Sequence, residues 1–240
     1  QLALADLARS VALDTAVTTI AELPSPAEGD RAWAALADSG LLTLREDGAG
    51  ILDLVICAEQ FATSLSTVPF IGSSLARELH GPTNDRIVIS LDGRIAPDAL
   101  GADRIVFARA GHAHSVGVGS VEETADRSRV SHGTTATDVI SIAPINTQRF
   151  DLIAARSAIR SAAWRIDHET ADAWSSAARA ALVAAEAGVG ACETALQVLG
   201  GIGHTWEHLA SVRLRRALVD RALLSDIDPT LLDAPLTTTP

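Results

Sequence analysis

Gln197-Val198-Leu199-Gly200-Gly201-Ile202-Gly203-His204-Thr205-Trp206-Glu207-His208 closes one long helical segment and opens another that carries Arg213, Arg215 and Arg216. A Gly-Gly pair after a helix supplies the left-handed residue that ends it and lets the chain turn into the next helix. The same stretch has chemical potential beyond a turn. Glycines leave backbone bare, so a phosphate can approach it, and the amides at a following helix start favour an anion. Gln197 can add a side-chain amide.

Upstream of the turn, Trp174, Ala178, Ala181, Ala185, Gly188, Cys192, Ala195 and Leu199 recur at alternating steps of four and three. This seven-residue stripe predicts a nearly straight helix over residues 171–199, packed in an antiparallel bundle at a crossing angle of about 20°. Its length is about 45 Å at 1.5 Å per residue. The stripe members between Trp174 and Leu199 are small, so neighbouring backbones can come close. Residues 168–170 form a joint to a preceding helix over 151–167, with Ile153, Ile159, Ala163 and Ile166 apolar. Downstream, a last helix is expected over 206–225, followed by a loose tail over 227–240.

The N-terminal part is also helical. Apolar spacing predicts a helix over 1–22 (Leu2, Leu4, Leu7, Val11, Leu13, Val17, Ile20), broken by Pro24, Pro26 and Gly29. Asp30 is the expected N-cap of a second helix ending at Gly40. Further helices are expected over 51–62 and 73–80. Between 81 and 150 the pattern changes to short Val- and Ile-rich runs at 86–90, 104–108, 114–121 and 139–143, which read as strands of a small β region. The fold class is therefore mainly α with a small central β region. Its parts are an N-terminal helical domain over 1–80, a reduced β domain over 81–150, a C-terminal helical bundle over 151–226 and the tail.

Composition narrows the function. Of 240 residues, 48% are hydrophobic but only 3% aromatic, so the core is built from Ala, Leu, Val and Ile. Net charge is −11 and all 19 basic residues are Arg. No basic face is visible, which argues against nucleic acid as a partner. The longest charge-free stretch, 60–76, contains Pro69 and several hydroxyl residues and is no membrane span. No signal peptide is expected. Cys57 and Cys192, with no C-x-x-C, are expected as buried thiols of a reducing cytosol, which places the chain in the cytoplasm. The chain begins at Gln1 and holds no Met, which points to trimming, processing or residues outside the recorded sequence.

The stretch from Gln197 to Glu207 resembles the Q-x-x-G-G-x-G-x-T-x-E segment near the C-terminus of acyl-CoA dehydrogenases. Residues 33–44, 58–62, 68–76, 154–167 and 171–224 also resemble that family, roughly two thirds of the chain, in the same order of helical block, β region and bundle. The resemblance implies FAD as cofactor, shared across a subunit interface. It implies Gln197, Gly200, Gly201 and Gly203 as contacts to the adenosine-diphosphate half of an FAD held mainly by a neighbouring subunit.

Three departures shape the functional expectation. No T-E-P-x-x-G-S-D-like loop, which in the family holds the flavin ring and the acyl thioester, occurs between 81 and 150. The family's long helix ending in an R-x-x-F-G-like arm is missing before residue 151; Asn146-Thr147-Gln148-Arg149-Phe150 runs almost directly into the next helix. Aligning on Arg215-Arg216 puts Leu224 where the family carries its catalytic Glu, so no catalytic residue is assigned. Abstracting the α-proton of a thioester needs a carboxylate within hydrogen-bond reach. The chain thus resembles a short, non-catalytic subunit of an actinobacterial heteromeric dehydrogenase, of the kind acting on steroid-derived CoA thioesters. The partner implied is a full-length homologue, as catalytic subunit in a heterotetramer that takes the acyl-CoA substrate. The alternatives are a self-sufficient homo-oligomeric dehydrogenase with an unrecognised base, and a cofactor-free helical interaction protein of the same fold.

Other features are weaker. His112 and His114 have ligand-like spacing without an obvious third ligand, so no metal is expected. Glu207 fits the dipole at a helix start better than an acid/base role with His208. Glu186 and Glu193 lie off the stripe. Trp164 and Trp174 read as packing residues. Arg213, Arg215 and Arg216 suit either ion pairs or CoA phosphates.

Overall fold

The computed structural model describes residues 1–19, 26–66, 68–90, 96, 99, 101–109, 112–118, 122–123, 130–131, 148–205 and 208–224. The expected strand at 139–143, Ile20, Trp206, Glu207 and the tail lie outside them. The architecture is mainly helical with a small three-stranded sheet, as the sequence pattern predicts. The chain divides into two compact units, Gln1–Ala49 with Ile56–Thr137, and Gly50–Val55 with Asp138–Pro240.

In the first unit, α1 (Leu2–Asp14) is shorter than the apolar spacing over 1–22 predicts. It stops at Thr15, whose hydroxyl lies 2.6 Å from that of Ser66, and Ala16 pairs as an isolated antiparallel bridge with Ser66. Val17 is buried, so its apolar character serves this crossing rather than another helical turn. Helix α2 (Pro26–Asp38) starts four residues before the expected cap. Pro is favoured in the first helical turn because its missing N–H would be unsatisfied there anyway. Asp30 consequently lies inside the helix, where its carboxylate accepts from the Arg86 guanidinium instead of capping. Gly40, at φ 72°, ends the segment as expected.

Helix α4 (Phe70–His80) begins directly after Pro69, earlier than residue 73. It packs on β1 (Ile87–Ile89) and β2 (Arg104–Arg109). β1 pairs parallel with β2, and β2 antiparallel with β3 (His112–Gly117) in the register Arg104 to Gly117. Successive strand side chains point to opposite faces. Ile87 and Val106 therefore meet Ala76 of α4, while Val88 and Ile105 meet Trp33 of α2. A second ribbon joins β4 (Glu122–Glu123) to β5 (Val130–Ser131). Two ion pairs, Arg45 with Glu78 and Arg77 with Glu46, both at 2.7 Å, tie the 44–50 loop to α4.

The second unit is the hairpin of α5 (Gln148–Asp167) and α6 (Ala173–Leu199), followed by a 3₁₀ turn at Gly200–His204 and by α7 (Leu209–Leu223). The joint is set by Asp172, whose buried carboxylate accepts from Arg165 Nη1 at 2.6 Å and from Thr170 Oγ1 at 2.9 Å. This unit also holds the start of α3 (Ile51–Thr63). The Asp167 carboxylate accepts from the Ile51 and Leu52 amides at 2.5 and 2.9 Å, and Asp53 accepts from the Gly50 amide at 3.0 Å. The orphan donors of the α3 N-terminus are thus capped largely from another helix.

Helix α6 packs against α5 and α7, and its most buried residues lie mainly to either side of the predicted stripe. Ala173, Ala180 and Ala187 are buried on one side; Ser175, Ala178, Val189 and Leu196 are buried on another. At about 100° per residue, the stripe runs between these two sides. Of its members only Ala178 is buried, while Trp174 is 69% and Leu199 38% exposed. An Ala-rich helix is apolar over most of its circumference, so its periodicity cannot distinguish which apolar side its own chain covers. Ala173–His204 is long and apolar enough by composition to cross a membrane. Arg179, Glu186 and Glu193 interrupt it, and it is one member of a helical hairpin.

Candidate functional site

The glycine turn is positioned by the C-terminus of α6. The Gly200 amide donates to the Gln197 and Leu196 carbonyls, closing the helix, and Gly200 takes φ 58° and ψ −137°. This is a region essentially restricted to glycine. The positive φ therefore falls on Gly200 alone in the turn, not on Gly201. Gly203 has a different reason for being glycine: a Cβ there would lie 2.8 Å from Leu199 Cβ and 3.2 Å from the Leu196 carbonyl oxygen. Gly201 has neither reason. Its φ is ordinary, it is exposed, and a Cβ built on it meets nothing within 4 Å.

Gln197 is exposed on the last turn of α6. The surrounding surface is apolar: Val198 is 82% and Ile202 67% exposed. The turn closes at Thr205, whose amide and hydroxyl both donate to the Ile202 carbonyl, at 3.1 and 2.9 Å. The structure thus gathers the four predicted contacts, Gln197, Gly200, Gly201 and Gly203, in one short segment. Gln197 and the backbone of Gly200 and Gly201 are open to solvent, while Gly203 is buried beneath.

Helix α7 begins at His208, whose ring Nδ1 accepts from the Ala210 amide at 3.1 Å. His208 is therefore an N-cap, a role that the residue preferences for caps do not suggest. Arg213 is exposed, whereas Arg215 and Arg216 are half-buried. The Arg215 guanidinium reaches Ser211 Oγ at 3.5 Å, and Arg221 approaches Glu186 at 3.8 Å. Burial pushes the Cys192 thiol above its ordinary value, partly offset by Arg213 and reinforced by Glu193. Leu224 is the half-buried C-cap of α7.

The remaining candidates take structural places. The His114 ring stacks on Phe107 with centroids 5.4 Å apart, and no cluster of metal-ligating side chains occurs among the described residues. Trp164 stacks on His168 one helical turn away at 4.0 Å. Both cysteines are free thiols, Cys57 buried and Cys192 half-buried.

No curated protein matches the sequence. A solved chain described with the electron transferring flavoprotein of Acidaminococcus fermentans, in work towards a mechanism of flavin-based electron bifurcation, is 12% identical. It superposes with a TM-score of 0.59 over 97% of this chain and 98% of that one. At that identity the likeness is one of fold. The family model for the acyl-CoA dehydrogenase C-terminal domain matches residues 96–224, more than half of the chain, from ahead of β2 to the end of α7. The chain belongs to the acyl-CoA dehydrogenase family.

Proposed function

We propose that the chain is a non-catalytic subunit of a heteromeric, FAD-dependent acyl-CoA dehydrogenase, lending its glycine turn to the FAD site of a full-length catalytic partner. Gly201 carries the reading. Gly200 and Gly203 are explained by the chain's own backbone and packing, but Gly201 is not. Bare, unstrained backbone beside an exposed Gln197 suits the approach of a diphosphate from outside the chain. Gln197 would donate from its amide, Gly201 would present backbone, and Gly200 and Gly203 would shape the turn. FAD, when bound, supplies the acceptor for the substrate β-hydride.

The proton-abstracting carboxylate is assigned to the partner. The position aligned with the family's Glu is Leu224, an apolar helix terminus, and no Glu follows Arg216 in the chain. A steroid-derived CoA thioester as substrate, a heterotetramer and a cytoplasmic location complete the proposal. They rest on the resemblance at 205–208 and on two free thiols without a C-x-x-C.

Purification tests it. The chain is expressed alone and together with a full-length homologue, and the flavin-to-protein ratio and thioester dehydrogenation are measured. Flavin only in the co-expressed complex is the expected result. Flavin and turnover from the chain alone would establish a self-sufficient enzyme. No flavin in either case would leave a helical interaction protein.

A further inference from the structure

We propose that the start of α7 is a pH-sensitive catch on the glycine turn, closed while His208 is neutral and released when it is protonated. The Ala210 amide donates to His208 Nδ1 at 3.1 Å. A backbone amide can only donate, so this nitrogen carries a lone pair and the ring's one N–H hydrogen sits on Nε2. An imidazolium has N–H groups on both nitrogens and cannot accept the bond. Its charge would also stand against the positive end of the α7 dipole. The loss falls where water is a poor substitute. Ala210 and Val212 are buried, so a released Ala210 amide is left without an acceptor. Ser, Thr, Asn and Asp, the usual caps, accept at neutral and mildly acidic pH alike. Histidine ties the cap to a protonation near neutrality.

The cap is continuous with the turn. His208 donates its own amide to the Thr205 carbonyl at 3.3 Å, and Thr205 closes the turn through its amide and hydroxyl on the Ile202 carbonyl. The Ser211 amide and hydroxyl both donate to the His208 carbonyl, at 3.4 and 3.1 Å. His208 is thus the node between Gly200–His204 and α7, and release of its ring loosens both sides. The elements packed against this end of α7 are the turn and α6. Their titratable and charged groups there are His204 on the turn and Cys192 and Glu193 on α6; α7 itself adds Arg213, Arg215 and Arg216. Among the described residues none of these bonds the imidazole, and the charges of Arg213 and Glu193 act on Cys192 instead. Glu207 lies outside the described residues.

Amide hydrogen exchange followed by NMR tests it on the full chain, with protection factors correcting for the intrinsic pH dependence of exchange. Those of Ala210 and Thr205 should fall roughly fivefold between about pH 8 and about pH 5, as for one lost cap of ordinary strength. His208→Asn, a cap that does not titrate, should keep both flat over that range. His208→Ala should show low values throughout. At the alkaline end the ring nitrogen shifts of His208 should report hydrogen on Nε2. Hydrogen on Nδ1, protection independent of pH in the unaltered chain, or the same fall in His208→Asn would overturn the catch. One consequence rests on the shared-FAD reading: the co-expressed complex should lose flavin toward acid pH, and less so with His208→Asn. Exchange is read on the chain alone, so the two can fail separately. A complex without flavin at any pH would refute the shared-FAD reading, and the exchange result would still decide the catch. Flavin fully retained in acid while Ala210 loses protection would overturn the hold of His208 on the turn.

Discussion

Gly200, Gly201 and Gly203 stand within four residues of one another and are glycine for three different reasons, which a substitution series separates. Gly200→Ala forces a Cβ into a left-handed backbone at φ 58° and should destabilise the chain by about 1–2 kcal/mol. Gly203→Ala drives a Cβ to 2.8 Å from Leu199 and should cost about 1–3 kcal/mol, since a packed turn must shift. Gly201→Val should leave thermal unfolding of the isolated chain nearly unchanged, yet lower the flavin content of the assembled complex. Gln197→Ala should weaken flavin retention mildly, on the order of 1 kcal/mol for one lost hydrogen bond. Unfolding curves and flavin-to-protein ratios for the four variants decide the matter. Full flavin content with Gly201→Val would reduce the turn to an interhelical connection. The sequence made the cluster conspicuous and ended the helix at 199, where α6 does end; which of the two adjacent glycines takes the positive φ is set by the Gly200 amide closing the helix.

At the scale of elements, helix existence was readable from apolar spacing, and the misses have specific causes. Helix α2 starts at Pro26 and makes Asp30 an interior residue paired with Arg86, a contact 56 positions away in sequence. Asp167 reads in the sequence only as the end of α5, whereas the fold uses it to cap α3, more than a hundred residues earlier. No local pattern can announce such a cap. Its consequence is testable. Asp167→Ala should destabilise the chain by about 0.5–2 kcal/mol, the range for lost N-caps, and Asp167→Asn should recover part of that. Gly50→Ala should mimic the loss, because its Cβ would lie 2.5 Å from the Asp167 carboxylate oxygen. Denaturant unfolding measures all three. If Asp167→Ala unfolds like the unaltered chain, the cap contributes nothing and solvent serves the α3 amides equally well.

At the scale of the whole molecule, the chain carries more apolar surface than its own helices cover. Trp174, Val198 and Ile202 are each more than 60% exposed, and Leu182 and Val183 of α6 are exposed as well. Alternation of small apolar residues shows that α6 must be covered, but only the packing shows which side the chain leaves to something else. Burial of that side by association stabilises the folded state through mass action, so stability should depend on protein concentration. A hundredfold rise in concentration adds about 2.7 kcal/mol per dimer, or about 1.4 kcal/mol per protomer. For a chain of this size, each kcal/mol moves the midpoint by about 2–4 °C, so Tm should rise by roughly 3–5 °C. A Tm independent of concentration in the unaltered chain would mean that it folds as a complete unit and leaves its apolar face to water.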